Sequence, residues 1–272
     1  MSVVCAGMCD NPGLGNCIGG NHTMNYMVAT AYASDAGFPA RLRELVRTNK
    51  VVHLQGVPEQ ADLGQFYYEL SQQVGELTMR NENVETKGYT PGQWMDIRYD
   101  AALSKSFRHA NTRQPLHTDG SYIADDELFD VLFLFCTVQA KRGGATTFVD
   151  ADVVVDYLRD YDAALLHDLE TLKIRYERGI AKLDHRTTIE YAPDGILMNW
   201  NYFPIAPDLP SREREVVERF HAFLEERIVA GGLTQEALLR PGEAVFFHDR
   251  RVLHGRNSFW GDRCLLKGGI YL

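Results

Sequence analysis

Hydrophobic residues recur along the chain with two different periods, a helical period in the first third and a strand period in much of the rest. Their spacing predicts amphipathic helices over Phe38–Asn49 and Asp62–Val74, separated by a short strand, Val51–Gln55. Residues 80–115 are polar and carry only a weak strand signal over Trp94–Tyr99. A long irregular segment of this kind is often a lid or a binding loop.

After this segment, β-branched and aromatic residues bounded by Gly, Pro and Asp predict a series of strands. The predicted strands are Leu116–Tyr122, Asp130–Val138, Ala145–Val149, Gly195–Tyr202, Ala244–His248 and Leu265–Tyr271. Helical periodicity interrupts them twice, over Val153–Leu172 and Arg212–Val229. Because strands and helices do not alternate regularly, the pattern favours a mainly β, α+β fold, an antiparallel barrel or jelly roll with helices packed outside.

The composition is that of a globular protein, with 45% hydrophobic and 24% charged residues in 272. We expect residues 1–25, rich in Gly, Asn and Met, to be a flexible tail, and residues 26–272 to form a single domain. A formal net charge of −9 argues against a nucleic-acid partner. The longest strongly apolar run, Val131–Cys136, is far shorter than the roughly 20 residues that a spanning helix needs, so no membrane partner is expected. The expected partner is a small-molecule substrate, and the sequence leaves homo-oligomerisation open.

The cysteines indicate a reducing compartment. There are five, an odd number, with no CxxC pair and no secretory hydrophobic region, which predicts a cytoplasmic protein. Four residues near the amino terminus are candidate zinc ligands: Cys5, Cys9, Cys17 and His22. Their spacing matches no common zinc finger, so we do not expect a structural zinc site there.

A second group of metal-binding residue types lies at the end of a predicted strand. His117 and Asp119 are two residues apart, and alternate residues of a strand share a face, so an imidazole and a carboxylate are predicted to converge. His254 lies far along the chain. Two histidines and one carboxylate on one face of a metal form the facial triad of non-haem Fe(II) oxygenases. The pair His248–Asp249 is a poorer candidate, because adjacent strand residues face opposite ways.

Further motifs follow the His117-x-Asp119 pair in a fixed order. They are Gly143–Asp150, Arg240–Phe247, Arg251–Phe259 and Gly261–Tyr271. Together these motifs resemble the Fe(II)- and 2-oxoglutarate-dependent dioxygenases of the taurine dioxygenase superfamily, over roughly residues 40–272. The last third is most similar to the γ-butyrobetaine hydroxylase branch. The resemblance implies a double-stranded β-helix (jelly-roll) core with flanking helices, and Fe(II), 2-oxoglutarate and O2 as cofactor and co-substrates.

The resemblance also implies roles for individual residues. Those that match the iron ligands are His117, Asp119 and His254. Thr146 and Arg263 match the hydroxyl and the guanidinium that bind the distal carboxylate of 2-oxoglutarate. An arginine suits this role because its planar fork holds a carboxylate through two parallel hydrogen bonds. Arg256, two positions after His254, stays open as an alternative clamp.

The implied activity is hydroxylation of an unactivated C–H bond in a small, zwitterionic or amino-acid-like metabolite, with release of succinate and CO2. Desaturation or ring-forming oxidation is the alternative with the same cofactors. The carboxylate of Asp119 argues against halogenation, because halogenating relatives leave that coordination position open for chloride. Two more remote hypotheses are a non-catalytic jelly-roll binding protein and a zinc enzyme that does not use 2-oxoglutarate.

Substrate contacts are expected from residues close to these motifs. The candidates are Tyr122, Arg113, Asn199, Asn201 and Lys267. Aromatic side chains in the same regions offer faces for a cationic head group. These aromatic candidates are Trp94, Tyr99, Tyr122, Trp200 and Tyr202.

Overall fold

The computed structural model describes residues 29–58, 62–83, 89–123, 127–178 and 181–272. The predicted tail, with Cys5, Cys9, Cys17 and His22, lies outside the described residues, and the single domain over residues 26–272 stays a prediction. Among the described helices, none is both long enough and apolar enough to cross a membrane.

Five α-helices lie in the described part of the chain. They are α1 (Phe38–Thr48), α2 (Leu63–Val74), α3 (Ala151–Tyr161), α4 (Ala163–Thr171) and α5 (Ser211–Phe223), and a π-helical turn over Leu224–Val229 extends α5. The single helix predicted over Val153–Leu172 is therefore two helices. The break lies at Asp162, whose carboxylate accepts a hydrogen bond from the Leu165 N–H and so begins α4.

Strands make up most of the remaining structure. The first ten are β1 (Ala29–Tyr32), β2 (Val51–Gln55), β3 (Glu76–Thr78), β4 (Arg80–Glu82), β5 (Tyr89–Pro91), β6 (Met95–Arg98), β7 (Gln114–His117), β8 (Val131–Val138), β9 (Arg142–Gly143) and β10 (Thr146–Asp150). The others are β11 (Lys173–Arg178), β12 (Ala181–Thr187), β13 (Ile189–Ala192), β14 (Gly195–Met198), β15 (Gln235–Ala237), β16 (Ala244–Phe247), β17 (Val252–Arg256), β18 (Phe259–Trp260) and β19 (Cys264–Tyr271).

Two sheets form the core. The larger has the order β1-β2-β16-β8-β19-β3, with β6 also paired to β19, and the smaller has the order β15-β10-β17-β7. Apolar residues of the two sheets, such as Leu132, Phe148 and Phe247, pack together. Helices α1 and α2 supply residues to the apolar cluster of the larger sheet, and α3–α5 supply residues to that of the smaller sheet. This is the predicted jelly roll with flanking helices.

The structure differs from the sequence prediction at one place that matters for the site. A strand was predicted over Leu116–Tyr122, but β7 ends at His117 and Asp119–Tyr122 is a 3-10 turn. The carboxylate of Asp249 fixes this turn, because it accepts the backbone N–H groups of Asp119 (2.9 Å) and Gly120 (2.7 Å). Asp249 comes from the segment between β16 and β17, so the turn depends on a contact distant in sequence.

Candidate metal centre and cavity

Two histidines and one aspartate meet between β7 and β17. His117 and His254 are direct cross-strand neighbours, with ring centroids 4.2 Å apart. Asp119 reaches them from the 3-10 turn, not from the strand as predicted. Its carboxylate oxygens lie 3.7 Å from His117 Nε2 and 3.6 Å from His254 Nε2. One ligand atom of each residue lies within 4.8 Å of the others, a spacing that a single metal ion can bridge.

Hydrogen bonding and burial favour imidazoles that can bind a metal at this centre. His117 Nδ1 donates to the Pro115 carbonyl at 2.9 Å, which leaves the lone pair on Nε2. The amide of Gln114, 3.0 Å away, donates to that same Nε2. Burial lowers the pKa of His254, and the neighbouring His117 lowers it further. Neutral imidazoles are the form that binds a metal.

The aspartate is held in its charged form. Burial by itself raises the pKa of Asp119, but the Lys267 ammonium and the two histidines outweigh it, and the pKa lies well below its usual value. Lys267 Nζ donates to Asp119 Oδ2 at 2.5 Å. Two nitrogen donors and one charged oxygen donor on one side of a buried site match what Fe(II) takes from a facial triad. The residues present therefore fit the expected ion.

A cavity of about 960 Å3 opens above this centre. Eight of the ten predicted site residues line it: His117, Asp119, His254, Thr146, Arg263, Tyr122, Asn201 and Lys267. Arg113 lies elsewhere and forms an ion pair with Glu225 of the π-helical turn. Asn199 is fully buried, and its amide donates to Thr187 O and Glu190 Oε1, both at 2.9 Å. Neither side chain faces the cavity, and we do not place them at the substrate.

The two candidate clamp arginines have different surroundings. Arg256 donates to three backbone carbonyls, those of Phe107 (3.2 Å), Ala110 (2.8 Å) and Thr112 (2.8 Å). Arg263 donates from Nε to Gly144 O at 3.2 Å, and its Nη1 is buried with no hydrogen-bond partner among the described residues. Burial lowers the pKa of Arg263 to about 10. Arg256 therefore commits both Nη atoms to backbone carbonyls and leaves only its buried Nε without a partner among the described residues, whereas Arg263 makes a single hydrogen bond there and leaves Nη1 unpartnered.

Of the five aromatic side chains that the sequence offers as faces for a cationic head group, only Tyr122 is among the described residues that line the cavity. Trp94 packs edge-on against Phe133 and Phe135, and Trp200 lies in the core against Phe220. The aromatic rings that do line the cavity, besides Tyr122, are Phe107, Phe129 and Phe203. One indirect sequence signal points to Phe107, which lies in the polar segment predicted to be a lid or binding loop.

A jelly roll that brings two imidazoles and a carboxylate together over a buried cavity is the arrangement of mononuclear non-haem iron oxygenases. Residues 14–269 match the model of the taurine catabolism dioxygenase TauD, TfdA family, and the chain belongs to this family. The predictions of the superfamily, the jelly-roll fold, the enzyme class and the use of Fe(II), 2-oxoglutarate and O2 are thereby confirmed. The γ-butyrobetaine hydroxylase branch stays a prediction.

Solved structures share the fold at low sequence identity. Asparagine oxygenase in complex with Fe(II), 3-hydroxyasparagine and succinate is 14% identical, with a TM-score of 0.66 over 86% of this chain and 80% of that one. A mutant of the non-haem iron oxygenase OrfP in complex with (3S)-hydroxy-L-Arg is 16% identical, with a TM-score of 0.62 over 87% and 80%.

A curated protein is similar in sequence. Dioxygenase str8 of Strobilurus tenacellus is 30% identical over 173 residues, which are 62% of this chain. The chain spans about 40% of the length of that relative.

Proposed function

We propose that this chain hydroxylates an unactivated C–H bond of a small, zwitterionic or amino-acid-like metabolite and converts 2-oxoglutarate to succinate and CO2. The observation that carries the proposal is the His117–Asp119–His254 cluster together with Arg263, which lines the same cavity and whose buried Nη1 has no partner among the described residues. In this proposal the three cluster residues hold Fe(II), which supplies the activation of O2. Asp119 keeps its carboxylate in the coordination position, which supports oxygen transfer over halogenation.

Arg263 and Thr146 are the proposed partners of 2-oxoglutarate. Both are buried and line the cavity. The guanidinium of Arg256 lies near enough to Arg263 that its own pKa is lowered to about 9, first by burial and then by the charge of Arg263. A buried pair of like charges favours the arrival of an anion. The distal carboxylate of 2-oxoglutarate is an anion that Arg263 can hold through two parallel hydrogen bonds.

The charges that line the cavity support a zwitterionic substrate. Arg80 reaches the cavity over the ring of Phe129 and forms no ion pair with the described residues. Lys267 uses one donor on Asp119 and has others available. The cavity wall also carries the carboxylates of Glu127 and Glu177. Groups of both signs in one cavity can bind the carboxylate and the ammonium of one small molecule.

The decisive experiment is anaerobic reconstitution. We expect protein mixed with Fe(II) and 2-oxoglutarate to show a weak visible metal-to-ligand absorption band, and to release succinate when O2 is admitted. Zinc in place of Fe(II) serves as the control and should give neither signal. A flat spectrum without succinate would leave the two remote readings, a binding protein or a zinc enzyme.

Two variants test the proposed residues separately. His117→Ala should lose bound iron, which metal analysis after gel filtration measures. Arg263→Ala should retain iron but require a much higher 2-oxoglutarate concentration to form the band. An unchanged iron content in the first variant, or an unchanged 2-oxoglutarate dependence in the second, would mean that the roles are misassigned.

A further inference from the structure

Two phenylalanine rings form an apolar wall in the outer part of the cavity. Phe107 and Phe203 pack edge to face, with centroids 4.2 Å apart and ring planes at 74°. They come from distant segments, the 3-10 turn Phe107–His109 and the loop after β14, and both line the cavity together with Leu103. Phe203 is 58% exposed although it lies in a concave site. Exposed apolar surface inside a cleft is typical of a ligand contact.

The Phe107 side of the wall is rigid, because two arginines hold the turn that carries it. Arg108 donates to Asp96 O (2.6 Å), Asp96 Oδ1 (2.6 Å) and Asn81 Oδ1 (2.8 Å). Arg256 donates to the backbone carbonyl of Phe107 itself and to two carbonyls that follow it. Arg256 lies on β17 two residues after His254, so one strand supplies both a metal-site residue and the support of the wall. A preformed surface binds with a smaller loss of conformational freedom.

The Phe203 side is also fixed relative to the metal site. The backbone N–H of Phe203 donates to Asn201 Oδ1 at 3.2 Å. The carbonyl of Trp200 accepts the backbone N–H of Thr118 at 2.6 Å, and Thr118 directly precedes Asp119. The segment that carries Phe203 is therefore hydrogen-bonded to the segment that carries Asp119, and Arg256 links the Phe107 turn to the strand of His254.

The wall offers little to a polar group. The side chains of Leu103, Phe107, Phe203 and Pro204 are apolar. The Phe107 carbonyl is already used by Arg256 and by the Ala110 N–H, and the Pro204 carbonyl by the Glu177 N–H. An amide or guanidinium placed against these four side chains would gain no hydrogen bond from them, whereas an apolar ring would gain free energy by leaving water.

We infer that the substrate is an amino-acid-like molecule whose side chain is large and apolar, of the size of an aromatic ring, and that the Phe107–Phe203 wall receives it. The inference rests on the proposed function and narrows its substrate class. Solved relatives of the same fold are complexes with hydroxyasparagine and hydroxy-L-Arg, whose side chains are polar. The rings of Phe107 and Phe203 also offer aromatic faces to a trimethylammonium group, so γ-butyrobetaine is one of the probes in the test.

The test compares binding of L-phenylalanine, L-asparagine, L-arginine and γ-butyrobetaine to protein loaded anaerobically with Fe(II) and 2-oxoglutarate. Calorimetry gives the affinity, and the shift of the visible band reports binding next to the metal. We expect L-phenylalanine to bind at least about tenfold more tightly than the three polar or cationic probes. A tenfold difference in affinity needs only about 1.4 kcal/mol of binding free energy.

Variants locate the contact. Phe203→Ala should weaken L-phenylalanine binding about fivefold or more, by loss of apolar contact area, and leave the 2-oxoglutarate band unchanged. Trp260→Ala is the matched control, since Trp260 is 63% exposed and is not among the described residues that line the cavity. Phe203→Leu, which keeps apolar bulk, should retain most of the affinity.

Equal or tighter binding of L-asparagine, L-arginine or γ-butyrobetaine would overturn the inference, as would unchanged L-phenylalanine binding in Phe203→Ala. The band formed before any amino acid is added tests the proposed function separately. If that band is absent, the proposed function fails, and calorimetry on the metal-free protein still decides whether the wall prefers an apolar side chain.

Discussion

Gly144 allows Arg263 to lie where an anion can reach it, and Gly144→Ala tests this directly. Gly144 has a positive φ of 79°, a conformation that costs an alanine roughly 1–2 kcal/mol. A Cβ there would lie 3.0 Å from Arg263 Cδ and Nε and 3.2 Å from Phe259 Cβ. The Gly144 carbonyl also accepts the Arg263 Nε–H at 3.2 Å. The added methyl group must therefore displace the Arg263 side chain by a few tenths of an ångström.

The expected loss follows from these contacts. A hydrogen bond to a charged group contributes about 1.5–3 kcal/mol, so a displaced guanidinium that loses one bond to 2-oxoglutarate should weaken its binding about 10- to 100-fold. Iron binding should change little, because Gly144 is not part of the metal cluster. The assay is anaerobic titration of the Fe(II)-loaded variant with 2-oxoglutarate, followed by the visible band.

Gly232→Ala is the matched control. Gly232 has a φ of 72°, close to that of Gly144, and a Cβ there meets nothing within 4 Å. Both variants should therefore lose a similar amount of stability from backbone strain, but only Gly144→Ala should lose 2-oxoglutarate affinity. The reasoning is refuted if Gly144→Ala binds 2-oxoglutarate as the parent does, or if Gly232→Ala weakens binding equally.

Three further predictions concern groups around the site and core. Arg256→Lys should lower the free energy of unfolding by roughly 2–4 kcal/mol, because one ammonium cannot replace bonds to three carbonyls, and calorimetric unfolding measures this. Burial raises the pKa of Cys136 to about 12, so iodoacetamide at pH 8 should modify this thiol only after the protein is unfolded in urea. Peptide mass spectrometry measures the labelling, and rapid labelling of the folded protein would contradict this prediction. Burial lowers the pKa of His248, whose Nε2 donates to Val46 O at 2.7 Å. The stabilisation from neutral His248 is therefore complete above the unfolded pKa near 6.5 and is lost as the pH falls through the lower folded pKa. The melting temperature of the metal-free parent should therefore fall more steeply below pH 6.5 than that of His248→Gln, and parallel curves would show that His248 does not titrate in this way.

The sequence predicted those parts of the fold in which local pattern and tertiary environment agree. β2 coincides with its predicted range, and β8 and β16 differ from theirs by one residue. The apolar runs of β8 and β16 suit strands buried on both faces. The hairpin of β11 and β12 was not predicted, although β11 alternates polar residues with the buried Ile174 and Tyr176, which is a strand signal.

In the site, residue types were easier to predict than their surroundings. His117 and His254 lie where cross-strand pairing would place them, but Asp119 reaches the cluster through a turn that Asp249 fixes from 130 positions away. Arg113 forms an ion pair with Glu225, 112 positions away. Contacts at such separations leave no periodic signal in the sequence, because they depend on how the sheets and helices pack.

The direct pairing of His254 with His117 makes the metal site a reporter of strand alignment. A slip of β17 by one residue against β7 would replace His254 by Leu253 or Gly255 and turn the imidazole to the opposite face of the sheet. Only one alignment of the two strands can therefore chelate an ion, and tight metal binding would bias refolding chains toward it. Metal release on partial unfolding would then mark the moment at which these two strands separate.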